Sequence, residues 1–188
     1  MTDKTSDTSH VNPADNGSSG FVPVDPFEIV VFGGTGDLAR RKLIPSLYHR
    51  FVDGQFNNAS KIIGVSRSVH TREAYIDLIS QAYSKFIKDP NFNPAKWEAF
   101  CSIVDYVPID VYDDQADWAA LGGALKASTK PARRKGERVR IFYLAMPPGM
   151  YADTCAGLNA AGLVTDQSRV VLEKPIGKDF ASAAVIND

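Results

Sequence analysis

The sequence is poor in the residues that most often announce a chemistry. Its two cysteines, Cys101 and Cys155, are too few for a disulfide framework and stand in no metal-ligand spacing. They read as buried thiols of a protein kept in the reducing cytoplasm, and no metal is expected. There are only three histidines. His10 falls in a polar tail, His49 among the surface positions of a helical segment and His70 in a loop. None adjoins a carboxylate in a pattern that would make it the base for a hydroxyl proton. Tyr-x-x-x-Lys, the usual base pair of short-chain dehydrogenases, does not occur, and neither does the Gly-x-x-x-x-Gly-Lys-Ser/Thr loop for nucleoside triphosphates. No apolar run approaches the roughly 18 residues of a membrane span. A net charge of -1 gives no pull toward nucleic acid or an anionic membrane.

What the sequence does have is the stretch Glu28 to Ala39. The apolar run Ile29-Val30-Val31-Phe32 meets Gly33-Gly34-Thr35-Gly36-Asp37-Leu38-Ala39. Four apolar residues in a row suit a strand buried on both faces. Gly34-x-Gly36-x-x-Ala39 fits the dinucleotide fingerprint with alanine in the third place, and Gly33-x-x-Gly36-Asp37-Leu38-Ala39 is a narrower variant. Glycine lets the chain turn sharply and lets backbone approach a pyrophosphate with no Cβ in the way. The unpaired N–H groups and dipole of a following helix then hold the anion. The alternative is a tight strand-to-helix turn that holds nothing.

Around this stretch, strand and helix patterns alternate. Residues 1–20 are polar and lack the basic start and apolar core of a secretion signal, so we expect a disordered tail and extended lead-in over 1–25. A helix follows the glycine turn, with Pro45 kinking it or starting its second segment. Arg40, Arg41 and Lys42 lie near that turn, and at least two of them read as a solvated face. Lys61 to Arg67 reads as the second strand, and Thr71 as the N-cap of the next helix. Asn93-Pro94 opens a further helix whose stripe Trp97, Phe100, Cys101, Val104 belongs in the core. Tyr106 to Ile109 is the expected third strand, followed by a helix over Asp113 to Ser128. A basic loop, Lys130 to Arg138, reads as solvated. Val139 to Met146 is the fourth strand, followed by a helix over Tyr151 to Ala161, and Arg169 to Glu173 the fifth, with a last helix from about Phe180. The expected fold is α/β, a doubly wound parallel sheet of Rossmann type over 26–188, with no sixth strand before the sequence stops.

Three further places could carry chemistry. NAD enzymes place an acid near the end of the second strand. Here Ser66-Arg67-Ser68 offers arginine, which matches a 2′-phosphate by charge-assisted, often bidentate hydrogen bonds. A plain surface arginine is the other reading. Pro147-Pro148 makes a stiff wall at the end of the fourth strand, with or without a ligand. Lys174, in Glu173-Lys174-Pro175, sits at the carboxyl end of the fifth strand. It could bind an anionic substrate or be an ordinary salt-bridged surface lysine.

The glycine stretch, Ser66-Arg67-Ser68, Phe142-Tyr143-Leu144-Ala145-Met146-Pro147-Pro148 and Glu173-Lys174-Pro175-Ile176-Gly177 stand in that order. Together they resemble the coenzyme domain of the glucose-6-phosphate dehydrogenase family, from Pro26 to the end. The glucose–fructose oxidoreductase type also carries Glu-Lys-Pro but resembles this chain less in its glycine turn. A self-standing NADP-binding module without chemistry is the other alternative. The resemblance implies that Gly33, Gly34, Thr35, Gly36, Asp37 and Leu38 bind the NADP pyrophosphate and Arg67 the 2′-phosphate. It puts Ala145, Met146, Pro147 and Tyr151 on the nicotinamide side. Lys174 would touch both cofactor and substrate, with Pro175 as a hinge. The implied reaction takes hydride from carbon 1 of glucose 6-phosphate to NADP and gives 6-phosphogluconolactone; one arginine does not exclude NAD as well. The family's catalytic histidine sits in a later Asp-His-Tyr-Leu-Gly-Lys segment, and its β+α domain carries the homo-oligomer interface. Neither is present here, so the chain by itself is expected to be inactive, with no catalytic base of its own.

Overall fold

The computed structural model describes residues 22–113, 116–126 and 138–174. Five strands, β1 (Glu28–Phe32), β2 (Lys61–Ser66), β3 (Val104–Pro108), β4 (Arg140–Leu144) and β5 (Ser168–Leu172), form one sheet in the order β3-β2-β1-β4-β5. Every pairing is parallel, with Phe32 opposite both Val65 and Leu144. The order runs outward in both directions from β1, so the topological switch lies between β1 and β4.

β1 shows why the apolar run had to be continuous. Ile29 and Val31 face one core, with α1 (Ile44–Val52), α2 (Arg72–Phe86) and α3 (Pro94–Cys101). Val30 and Phe32 face the other, with α4 (Trp118–Lys126) and α5 (Tyr151–Ala160). Side chains alternate across a strand, so a strand covered on both faces must be apolar at every position. The two cores differ in kind. The first is built on rings, Tyr48 meeting Tyr83, Trp97 and Phe100 at centroid distances of 5.3, 4.9 and 5.6 Å. The second is largely aliphatic.

Local chemistry fixes the helix starts. Thr71 accepts from the Ala74 amide at 3.2 Å, and Asn93 from the Lys96 amide at 3.1 Å. Both are N-caps as the sequence implies. Two boundaries move by more than two residues. Val104 leaves the helical stripe and opens β3 opposite Ile62, because α3 ends at Cys101 and the strand pairing takes over. The described part of α4 begins at Trp118 rather than Asp113, and Asp117 holds the Ala120 amide at 2.8 Å. Pro45 starts the second segment of this helix, one of the two outcomes expected of it, and stands in the first turn of α1. A π-helical turn, Ala39–Leu43, precedes it, and the Ile44 amide reaches back to the Ala39 carbonyl. The wider turn accommodates a residue that can donate no helical bond.

Ion pairs cluster at the amino edge of the sheet: Arg140 to Glu28 at 2.8 Å and Lys61 to Asp105 at 3.3 Å. The polar tail, most of the basic loop, Pro175 and the last expected helix lie outside the described residues.

Candidate functional site

All five strands point the same way, so their carboxyl ends share one edge. An open cleft of about 400 Å³ lies along that edge. Its floor includes Phe32 and Val65. The β1 lip gives Gly33, Thr35 and Gly36; the β2 lip gives Ser66, Arg67 and Ser68; the β4 wall gives Ala145, Met146, Pro147 and Met150. Ile109, Asp110 and Val111 close the side beyond β3.

The glycine turn is held almost wholly by backbone. Gly33 has φ +81°, and a Cβ there would lie 2.2 Å from the Ala145 carbonyl oxygen. Only glycine meets both demands. Gly34 packs against β2, where a Cβ would come within 2.9 Å of Gly64 Cα. Its amide donates to the Val65 carbonyl at 2.9 Å, and its carbonyl accepts from the buried Tyr75 hydroxyl at 3.1 Å. The Gly36 amide donates to the Gly33 carbonyl at 2.8 Å. Arg40 to Gly36, at 3.1 Å, is an i to i−4 bond, so the amides of Asp37 and Leu38 precede it and have no helical acceptor. The amides able to meet an anion are therefore those that follow the glycines. Ala39 is fully buried against the first core, which explains the small residue in the third place of the fingerprint.

The β2 lip is held differently, by hydroxyls. Thr35 Oγ1 donates to Ser66 Oγ at 3.1 Å, which lies 2.7 Å from the Tyr106 hydroxyl, and Tyr106 donates to the Ser68 carbonyl at 2.5 Å. Burial pushes the Tyr106 hydroxyl above its ordinary pKa, so it stays a donor at neutral pH. Arg67, between the two serines, is exposed. Among the described residues it has no acidic partner, whereas Arg40 is paired with Asp37 at 2.9 Å.

Of the residues singled out from the sequence, Gly33, Thr35, Gly36, Arg67, Ala145, Met146 and Pro147 come together in the cleft. Gly34 is buried behind it, and Asp37 is exposed against Arg40. Leu38 is half-buried and does not line the cleft. Tyr151 begins α5, next to the lining residue Met150. It is buried, and among the described residues its hydroxyl has no hydrogen-bond partner. Lys174 is exposed just past β5 and lines no part of the cleft. Glu173 accepts from the Tyr143 hydroxyl, which burial and that carboxylate together push up to about 12. The pairing ties Glu173 to β4. Of the three cations after the turn, Arg41 and Lys42 are exposed, Arg41 lying 4.5 Å over the Phe86 ring. His49 and His70 stay outside the lining residues.

Asp110, Val111 and Met150 went unnoticed in the sequence, and no spacing marks them. Asp110 is the notable one: the carboxylate absent from the end of β2 arrives in the cleft from beyond β3. Its Oδ1 accepts from the Tyr112 amide at 3.2 Å. Among the described residues no group of His, Cys, Asp and Glu could hold a metal, and no helix is long and apolar enough to cross a membrane.

A parallel sheet covered by helices on both faces, with a glycine turn at its switch point, defines a Rossmann-like α/β domain. Comparison with known proteins narrows this. Residues 30–188 match the model of the glucose-6-phosphate dehydrogenase NAD binding domain, and the chain belongs to that family. It is 42% identical over 171 residues to glucose-6-phosphate 1-dehydrogenase of Rhizobium meliloti, a match covering 91% of this chain and 33% of the relative. To the Mycolicibacterium smegmatis enzyme of the same name it is 42% identical over 166 residues, covering 88% of this chain and 33% of the relative. Among solved structures it superposes on glucose-6-phosphate dehydrogenase in complex with its substrate glucose-6-phosphate. The TM-score is 0.74 and the identity 30%, over 88% of this chain and 34% of that one. The glucose-6-phosphate 1-dehydrogenase of Mycobacterium avium gives 0.69 and 28%, over 86% of this chain and 33% of that one. The chain thus spans about a third of the length of the relatives it matches.

Proposed function

We propose that this chain is the coenzyme-binding part of a cytoplasmic glucose-6-phosphate dehydrogenase and that its cleft takes NADP. The observation that carries the cofactor choice is Arg67. Its guanidinium stands at the cleft rim between two serines and, among the described residues, forms no ion pair with an acid. A 2′-phosphate satisfies such a group through charge-assisted hydrogen bonds.

Two features support a fit for the rest of the molecule. The amides of Asp37 and Leu38 precede the first helical bond after the turn, and among the described residues the buried Tyr151 hydroxyl has no partner. In this reading Gly33, Thr35, Gly36, Asp37 and Leu38 surround the pyrophosphate, with Asp37 and Leu38 giving amides and Gly34 giving shape. Ala145, Met146, Pro147 and Tyr151 fix the nicotinamide end. When bound, NADP supplies the hydride acceptor. Lys174 meets the substrate, glucose 6-phosphate, and the Tyr143–Glu173 bond keeps Glu173 beside β4. The base for the sugar hydroxyl proton, and the contacts of a homo-oligomer, come from family segments outside this sequence.

The test is a fluorescence titration of the purified chain with NADP and NAD, followed by an assay with glucose 6-phosphate. Saturable binding of NADP, tighter than NAD, without turnover is the expected result. No binding of either at millimolar concentration overturns the cofactor assignment, and turnover by the chain alone overturns the external base.

A further inference from the structure

Tyr106 in β3 at first looks like core. It is 6% exposed, and its ring stacks on Tyr75 at 4.7 Å. Its hydroxyl, however, points at the cleft's β2 lip and not into the core. There it meets Ser66 Oγ at 2.7 Å and the Ser68 carbonyl at 2.5 Å, one residue to either side of Arg67. The backbone joins in, since the Ile109 amide donates to the Ser66 carbonyl at 2.8 Å. Thr35 closes the chain of hydroxyls from the glycine turn at 3.1 Å. Arg67 itself takes no part. Its backbone is therefore pinned on both sides while its side chain stays exposed.

We propose that Tyr106 is a positioning residue that sets cofactor discrimination: its hydroxyl clamps Ser66 and Ser68 so that Arg67 is presented to a 2′-phosphate. The inference rests on the NADP reading of the cleft. A loop already ordered loses less freedom on binding, so the clamp raises affinity for the ligand that Arg67 contacts. NAD, which has no 2′-phosphate, gains nothing from it. The hydroxyl chain also links the two lips, so the arginine is held in register with the turn that takes the pyrophosphate.

Tyr106→Phe removes the hydroxyl and keeps the stacked ring. Titrations with NADP and NAD are run on the unaltered chain, Tyr106→Phe, Arg67→Ala and the double variant. The NADP Kd of Tyr106→Phe should rise about three- to tenfold, the range of one or two lost hydrogen bonds, with NAD changed less than about twofold. In the Arg67→Ala background the second substitution should add nothing, because the tyrosine acts through the arginine. Ser66→Ala breaks the same clamp from the other side and should copy Tyr106→Phe, which keeps the test open if that variant folds poorly. Equal loss for both cofactors, no loss for either, or full additivity with Arg67→Ala overturns the inference and leaves the NADP reading standing. Failure of the unaltered chain to bind NADP overturns both.

Discussion

The two lips of the cleft do adjoining jobs with different materials. On the β1 side, backbone holds backbone: the Gly34 amide on the Val65 carbonyl, the Gly36 amide on the Gly33 carbonyl, and Gly33 against the Ala145 carbonyl. On the β2 side, side chains hold backbone, through Thr35, Ser66 and Tyr106. A lip made of backbone tolerates one residue type and, on the proposed NADP reading, shapes the site for any dinucleotide. A lip made of hydroxyls can be altered one atom at a time and tunes the site for one of them. The first should therefore fail for both cofactors together, and the second only for the phosphorylated one.

Gly33→Ala tests the first lip most severely. It forces a side chain to positive φ and against a carbonyl 2.2 Å away. A loss of about 3 kcal/mol in urea denaturation is expected from strain and overpacking together, with both cofactors lost. Preserved stability would mean the turn is not as constrained as its contacts require. Gly64→Ala comes next. A Cβ there would lie 2.5 Å from the Tyr75 hydroxyl that holds the Gly34 carbonyl. Overpacking by one methyl should lower stability by about 1–3 kcal/mol and again weaken NADP and NAD alike. A selective effect on NADP would erase the distinction between the lips.

Arg67→Ala moves to the second lip. NADP affinity should fall about tenfold or more, as expected for one lost charge-assisted contact, with NAD unaffected. A parallel fall for NAD would remove the arginine from its assigned place. Alkaline pH loosens both lips. Burial raises the pKa of Tyr75 and Tyr106, and that of Tyr143 to about 12. Each phenol is harder to ionise folded than unfolded, so its stabilising contribution is complete below the unfolded value and lost as pH climbs through the folded one. Melting temperature should drop above about pH 10, and Tyr143→Phe should lessen the drop between there and about pH 12. An unchanged drop in that variant would count against the Tyr143–Glu173 bond. The smallest effect belongs to Asp110→Asn. Removing a nearby carboxylate should tighten NADP by about twofold at low salt and leave NAD unmoved.

The same contrast explains which parts could be read in advance. The backbone lip writes itself into the sequence because only glycine fits, and the run Ile29 to Phe32 announces a strand covered on both faces. Thr71 and Asn93 are legible for a similar reason, since a cap is a local bond between near neighbours. Val104 was misplaced because it continues the spacing of Trp97, Phe100 and Cys101, and only its pairing with Ile62 overrides that. The clamp on Arg67 could not be foreseen. It joins Thr35, Ser66 and Tyr106 from three different segments, and a tyrosine on a strand has no mark to separate a core ring from a working hydroxyl. Asp110 was invisible for the same reason: β3 lies beside β2 in space and far from it along the chain. Pro45 was legible as a disturbance, but the π-helical remedy depends on how the helix packs.

The most direct test of the glycine cradle is an amide chemical-shift titration of the chain with NADP. The largest shifts should fall on Gly33 to Leu38, with Arg67 and Ser68 responding to NADP and hardly to NAD. Shifts centred elsewhere on the sheet, or none at millimolar NADP, would contradict a coenzyme seated where β1 hands over to its helix.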